Sequence, residues 1–233
     1  MPGNQSGSAY ALTTLSPIRD GHTADNIAFA DTVRDRLQGW NAEPNSPMAL
    51  VPNTYLCRLF VLDDVYTESL PSAGILDTLS DLLPVVPDWL RRRALPAEDH
   101  LKSRYLVFCC NFHGGPAGDL DGYLRGMWRA IGPRLREAWE YCWGFETVTD
   151  ADAFIAYIKR CQLPAALYFN GSNDDPLAEQ LKALYLKQEF ARFAVDNQGL
   201  DAATLRARLQ TFMQRTAPAN LAAPTWTAGH YSL

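Results

Sequence analysis

"SRYLVFCCNFHGGPAGDLDGYLRGMW", residues 103–128, changes its period halfway along, and that change decides the fold. Up to Phe112 the apolar residues fill both alternate sets. Leu106, Phe108, Cys110 and Phe112 form one, and Tyr105, Val107 and Cys109 with Asn111 form the other, as in a strand covered on both faces. From Asp119 the spacing is helical: Leu120, Leu124, Met127 and Trp128, continuing through Ile131, Leu135, Ala138 and Cys142. Between the two lies His113-Gly114-Gly115-Pro116, a turn. Asp119 is predicted to cap the helix by accepting from its free N–H groups, and Gly132-Pro133 to kink it. Strand alternation sends the sulfurs of Cys109 and Cys110 to opposite faces.

Working outward, "YALTTLSPI" (10–18) reads as a first strand. Phe29, Ala30, Val33, Leu37 and Trp40 mark a helix face, with Thr23 as its candidate N-cap. After a loop holding three prolines (41–53), "TYLCRLFVLDDV" (54–65) is a second strand, apolar on both faces except for Arg58. Residues 66–102 read as an insertion with a helix broken by Pro84 and Pro87 and ended by Arg91, Arg92 and Arg93. A helix over 150–161 has Asp150 or Asp152 as cap. "PAALYFNG" (164–171) reads as a fourth strand. The helix that starts at Pro176 shows a buried stripe of Leu177, Leu181, Leu184, Tyr185, Ala191 and Val195. A last helix covers about 201–215. This predicts a disordered 1–9, one domain over 10–196, and a C-terminal helix with an extended tail over 197–233. Without the insert and the extra helices the order is βαββαβ: an α+β, ferredoxin-like antiparallel sheet with an insertion after strand 2 and added C-terminal helices. One face of such a sheet lacks helices, yet these strands are apolar on both. A second subunit is the expected cover, hence a homodimer, with the insert or the C-terminal helices as the competing covers.

Composition narrows the partners. Hydrophobic residues at 47%, charged residues at 20% and a net charge of −5 argue against nucleic acid or an anionic membrane as partner. Five cysteines, an odd number with no C-x-x-C, together with the absence of a secretory h-region or a membrane-length apolar run, lead us to expect a cytoplasmic protein with unpaired thiols.

"LTTLSPIRDGH" (12–22), "NFHGG" (111–115), "DLDGYL" (119–124), "EYCWGF" (140–145) and "LYFNGSNDDPLAEQLKALYLKQEFARF" (167–193) make the chain similar to a bacterial ferredoxin-like family without an assigned reaction. More broadly the pattern resembles the dimeric α+β barrel superfamily of antibiotic-biosynthesis monooxygenases, chlorite dismutases and dye-decolourising peroxidases. The narrower family is expected to carry Asp where this chain has His113 and His where it has Tyr141. The resemblance implies a dimer and either cofactor-independent oxygenase chemistry or haem.

Several motifs fail on their own chemistry. His113-Gly114-Gly115 resembles an esterase oxyanion loop, but no G-x-S-x-G elbow accompanies it. Cys109, Cys110 and His113 cannot converge on one zinc because the sulfurs diverge, and no phosphate loop or dinucleotide fingerprint is present, so no metal or bound cofactor is predicted. Haem would need a proximal histidine, and of His22, His100, His113 and His230 only His113 ends a central strand. The remaining candidates form a small-molecule site for an apolar organic substrate. In it His113 and Tyr168 serve proton transfer, and Arg58, Asn111, Tyr105 and Asn170 bind substrate. The activity expected of this site is oxygenase-like oxidation; a non-catalytic binding or accessory role is the alternative. Arg58 either pairs with an anion or reaches water from a sheet edge.

Overall fold

The computed structural model describes residues 2–65 and 101–229; all but the last two residues of the insertion expected over 66–102 lie outside the described residues. Four antiparallel strands form one sheet: β1 (Gln5–Ser6), β2 (Ala9–Pro17), β3 (Thr54–Leu62) and β4 (Tyr105–His113), in the order β1-β2-β4-β3. Helices α1 (Phe29–Ala42), α2 (Leu120–Trp139) and α3 (Ala151–Cys161) follow in the chain, and α4 (Leu177–Asp196) and α5 (Ala202–Thr216) form a C-terminal hairpin. The mixed α+β, antiparallel architecture is as expected. Among the described residues no helix is long and apolar enough to cross a membrane.

The core lies between one sheet face and the first three helices. Leu12 of β2 and Leu106, Phe108, Cys110 and Phe112 of β4 are buried there against Leu124, Met127, Leu135 and Trp139 of α2 and Phe154 and Ile158 of α3. Asp119 caps α2 as predicted, accepting from Gly122 N–H at 2.8 Å, and Asp150 caps α3 by accepting from Ala153 N–H at 2.9 Å. Each such cap stabilises its helix by about 1 kcal/mol. The kink also falls where Gly132-Pro133 places it, with Ile131 leaving helical geometry at φ −136°.

Four expectations change. Thr23 does not cap α1, which begins at Phe29 without a side-chain cap. Its hydroxyl accepts instead from Ile27 N–H at 3.3 Å, closing a turn in which Asn26 sits at φ 60°. Residues 2–9 are ordered, as a 3-10 turn (Pro2–Asn4), β1 and the link to β2. Asn4, only 1% exposed, donates its amide N–H to Ala11 O at 2.9 Å.

That N-terminal segment also explains the third change: residues 164–171 are not a strand. β1 pairs with β2 through Gln5↔Tyr10 and Ser6↔Ala9 and so takes the edge a fourth strand would use. The 163–171 segment runs beside it on scattered bonds: Leu163 N–H to Thr13 O (2.8 Å), Ala165 N–H to Asn4 Oδ1 (3.2 Å) and Asn170 N–H to Ser6 Oγ (3.2 Å). Gly3 permits the approach, since a Cβ there would sit 2.0 Å from Ala165 O.

Fourth, the stripe assigned to α4 is not a buried face: Leu184 is 46% and Val195 67% exposed. The helix packs on α5 instead, and the side it buries there carries Lys182 and Glu189. Lys182 Nζ donates to Thr216 O (2.7 Å), placing a cation on a carbonyl at the end of α5, and to Pro224 O (2.8 Å) of the segment beyond it. Glu189 pairs with Arg192 (2.8 Å) and Arg215 (2.5 Å), and the Arg215 hydrogen bond holds its carboxyl below the usual range. An aromatic trio, Phe190, Phe193 and Phe212, fills the rest of the hairpin.

Candidate functional site

The register sorts the sheet residues by face. Cys57 stands opposite Cys110 and Leu59 opposite Phe108 on the helix side, while Arg58 stands opposite Cys109 on the other. Arg58, Tyr105, Asn111 and His113 therefore share the face turned away from the helices, and Cys109 and Cys110 point to opposite sides as predicted. Leu56 and Phe60 flank Arg58 on that face and are 56% and 43% exposed, so β3 is not covered on both sides as its composition suggested. Arg58 is itself exposed, and among the described residues it makes no ion pair. Of its two readings, the edge-strand arginine that reaches water is the one found.

β3 is the last strand of the described sheet, and a groove of about 590 Å³ runs along it. Five consecutive residues, Cys57 to Val61, line one side, and Leu37, Gln38, Trp40 and Asn41 of α1 with Ser46 and Met48 of the following turn line the other. Since neighbouring strand residues point to opposite faces, five in succession can line one groove only where it follows the strand's edge. Arg34 stands in the groove too, but its charge is committed to Asp31 and Asp63. Trp40 is 5% exposed, and among the described residues its indole N–H finds no acceptor. Buried polar groups without partners are uncommon, so a donor left open beside a groove is informative. Burial pushes the Cys57 thiol up to about 12, which keeps it protonated and apolar in this wall.

A second cluster forms where β4 ends. The register shift between Thr54 and Leu56 takes Tyr55 out of the ladder. Its hydroxyl lies 3.1 Å from His113 Nδ1, 2.8 Å from Asp175 O and 3.0 Å from Asp174 O. His113 Nδ1 is also 2.8 Å from Asp174 O. A carbonyl only accepts, so Nδ1 carries the proton that faces Asp174 O, and Nε2 is the nitrogen not engaged by these contacts. Tyr55 has one proton to give, which goes to a carbonyl, so it accepts from His113. Burial, then the nearby Asp174 carboxylate, pushes the Tyr55 hydroxyl up to about 12, and burial raises that of Tyr168 as well. Asp174 meanwhile accepts from Ser8 N–H at 2.6 Å, pinning the β1–β2 turn.

Of the two proposed proton-transfer residues, His113 is held by Tyr55 and Asp174, while Tyr168 bears on that cluster by opposing the ionisation of Tyr55. The set of substrate-binding residues divides. Tyr105 and Asn111 lie along the open face. Arg58 belongs to the edge groove. Asn170, off the sheet, uses its side-chain oxygen on Ser172 (2.8 Å to Oγ).

A separate cleft of about 370 Å³ adjoins His113, walled by Pro52, Asn53, Gly114, Gly115, Asp119, Gly122, Tyr123 and Gly126. Haem needs a broad apolar slot beside its histidine ligand. These small and polar walls do not fit that group, and no step is derived through it.

Sequence patterns missed Trp40, Tyr55 and Asp174. Trp40 reads as a core residue of α1, Tyr55 as an ordinary strand position, and Asp174 as part of a polar loop. The helical period places Trp40 in the core but says nothing of its N–H, and no periodic signal marks Tyr55 or Asp174, which act through contacts distant in sequence. Comparison with protein-family models, with curated proteins and with solved structures finds no match.

Proposed function

We propose that this protein is a binding module that takes up an extended segment of polypeptide along the outer edge of β3. The observation that carries this is the groove along which Cys57 to Val61 run in unbroken succession at the outer border of the described sheet, as a strand lying edge-on to a groove would. Among the described residues no strand pairs with that edge. A long apolar edge strand is a template for another strand, and recognition by strand addition uses such an edge beside a helix-lined wall. The sheet order corresponds to a ferredoxin-like plan in which β1 stands in for the last strand, and we read the fold that way. Hydrogen exchange on the full chain, with and without peptides selected from a displayed random library, tests the reading. Main-chain amides within 57–61 should gain at least about tenfold protection on binding, as expected when exposed strand N–H groups enter a ladder. If selected peptides bind but protect only other segments, the groove is not the site.

A second reading keeps the small-molecule enzyme, and the tautomer of His113 is the observation that favours it. With Nδ1–H tied to Asp174 O, Nε2 is the ring nitrogen left to act as a base, and burial favours the protonated form of Tyr168 as a donor. Tyr55 gives its own proton to a main-chain carbonyl. An oxygenase-like reaction on an apolar substrate would use that nitrogen to remove a proton. In a screen of electron-rich phenolic substrates, a turnover that falls by about 10²-fold or more in His113→Ala supports this reading. A turnover that His113→Ala leaves unchanged removes it.

A further inference from the structure

We propose that the strand accepted along β3 is acidic at its centre: an Asp or Glu side chain set opposite Arg58, with apolar side chains two residues to either side. This rests on the strand-addition reading and adds the chemistry of the guest. Arg58 is the middle residue of the nine in β3 (Thr54–Leu62), and it shares a face with Leu56 and Phe60. All three are exposed, and among the described residues Arg58 has no anionic partner. Side chains directly opposite each other in paired strands lie roughly 4.5–5.5 Å apart, so the residue facing Arg58 is chosen by the sign of its charge. The same pleat carries the guest's positions two residues before and after onto the exposed surfaces of Phe60 and Leu56. Apolar side chains there cover surface that is otherwise in water. The recognised pattern is apolar-x-acid-x-apolar in an extended conformation.

The same geometry disfavours a second copy of β3 as the guest. A two-fold antiparallel pairing centred on the strand places Arg58 against Arg58, like charges directly opposite each other. Registers that slide within the strand leave each guanidinium facing Thr, Tyr, Leu, Cys, Phe or Val, because residues 54–62 contain no carboxylate. Asp63, just beyond, is already taken by Arg34 (2.8 Å) and lies 3.5 Å from Arg104. Arg58 thus has two effects from one position: it selects an acidic guest and opposes edge-to-edge self-association.

The test uses three fluorescein-labelled twelve-residue peptides of one β-prone sequence, differing only in a central Asp, Asn or Lys. They are titrated by anisotropy into the full chain and into its Arg58→Glu and Arg58→Gln variants, with sedimentation velocity on all three proteins. Arg58 is exposed, so both variants should fold, and circular dichroism melts check that they do. The wild type should bind the Asp peptide about tenfold more tightly than the Lys peptide, the range of a charge-assisted contact. Arg58→Glu should reverse the order, and Arg58→Gln should bring the three peptides within about twofold. Peptides that bind all three proteins without regard to central charge would overturn the acidic guest while leaving strand addition standing. No peptide binding together with a wild-type dimer that Arg58→Gln tightens would make a second copy the occupant, whereas no peptide binding by a dimer that neither variant alters would place that interface elsewhere and remove strand addition. No binding by a monomer would remove strand addition and this inference together.

Discussion

Trp139→Ala should cost about 3–5 kcal/mol, the range for removing a fully buried Trp or Phe, and in a domain of ordinary stability that approaches unfolding at 37 °C. The residue is 0% exposed and joins three elements. Its ring meets Phe108 of β4 edge-on at 5.7 Å and Phe154 of α3 at 6.3 Å, and its indole N–H donates to Ser16 Oγ of β2 at 3.0 Å. Truncation leaves a cavity and an unpaired hydroxyl in the core together. Trp139→Phe separates the two effects, since it retains most of the volume and loses only the hydrogen bond, for about 1 kcal/mol or somewhat more. Urea midpoints compared at equal slope would measure both. A loss below about 1 kcal/mol in the alanine variant would mean that Trp139 does not join sheet to helices as described.

The second large effect is alkaline. Burial in the core pushes the Cys142 thiol up from 9.0 to about 12, with Cys161 adding to the shift. The folded chain therefore keeps a proton that the unfolded chain releases first, so the associated stability is complete below pH 9 and is lost as pH rises toward 12. At 1.36 kcal/mol per pKa unit, Cys142 alone removes on the order of 4 kcal/mol across that window. Cys57 and Tyr55, each raised to about 12, act in the same direction. Urea midpoints should hold up to pH 8 and fall steeply between pH 9 and 11. Cys142→Ala should begin lower, because of its cavity, but decline less. A midpoint constant to pH 11 would contradict the burial of these groups.

What the chain discloses in its order of residues depends on how locally each feature is determined. The strand-to-helix change at 103–128 depends on neighbours, as do the Asp119 cap and the Pro133 kink, and all could be read directly; the residues narrow the cap of α3 to Asp150 or Asp152, and Asp150 takes it. The supposed strand at 164–171 has a strand's composition but no free edge to join. Residues 4–6 hold that edge, and no pattern within either segment announces their competition. The α4 stripe misleads for a related reason. Periodicity identifies an apolar face without naming what it meets, and α4 turns Lys182 and Glu189 toward α5 because both find partners there. Among the site residues, Arg58 was conspicuous as a charge in an apolar strand, and His113 as a histidine at a strand end. Tyr55 became its partner only through a shift of one residue in the ladder, and the open N–H of Trp40 is a property of packing that an apolar helix face cannot show.

The clamp on the N-terminus also bears on synthesis. Asn4 is bonded to Ala165 across 161 positions, and Ser8 to Asp174 across 166. Chains emerge from their N-terminal end, and domains tend to consolidate in that order. Residues 4 and 8 therefore wait for partners made 161 and 166 positions later. Until Asp174 has left the ribosome, the turn at Gly7 and Ser8 lacks its carboxylate. A nascent chain paused between residues 8 and 165 would expose the border of β2 to its neighbours on a polysome, which makes elongation speed over that stretch a determinant of how much protein is recovered intact.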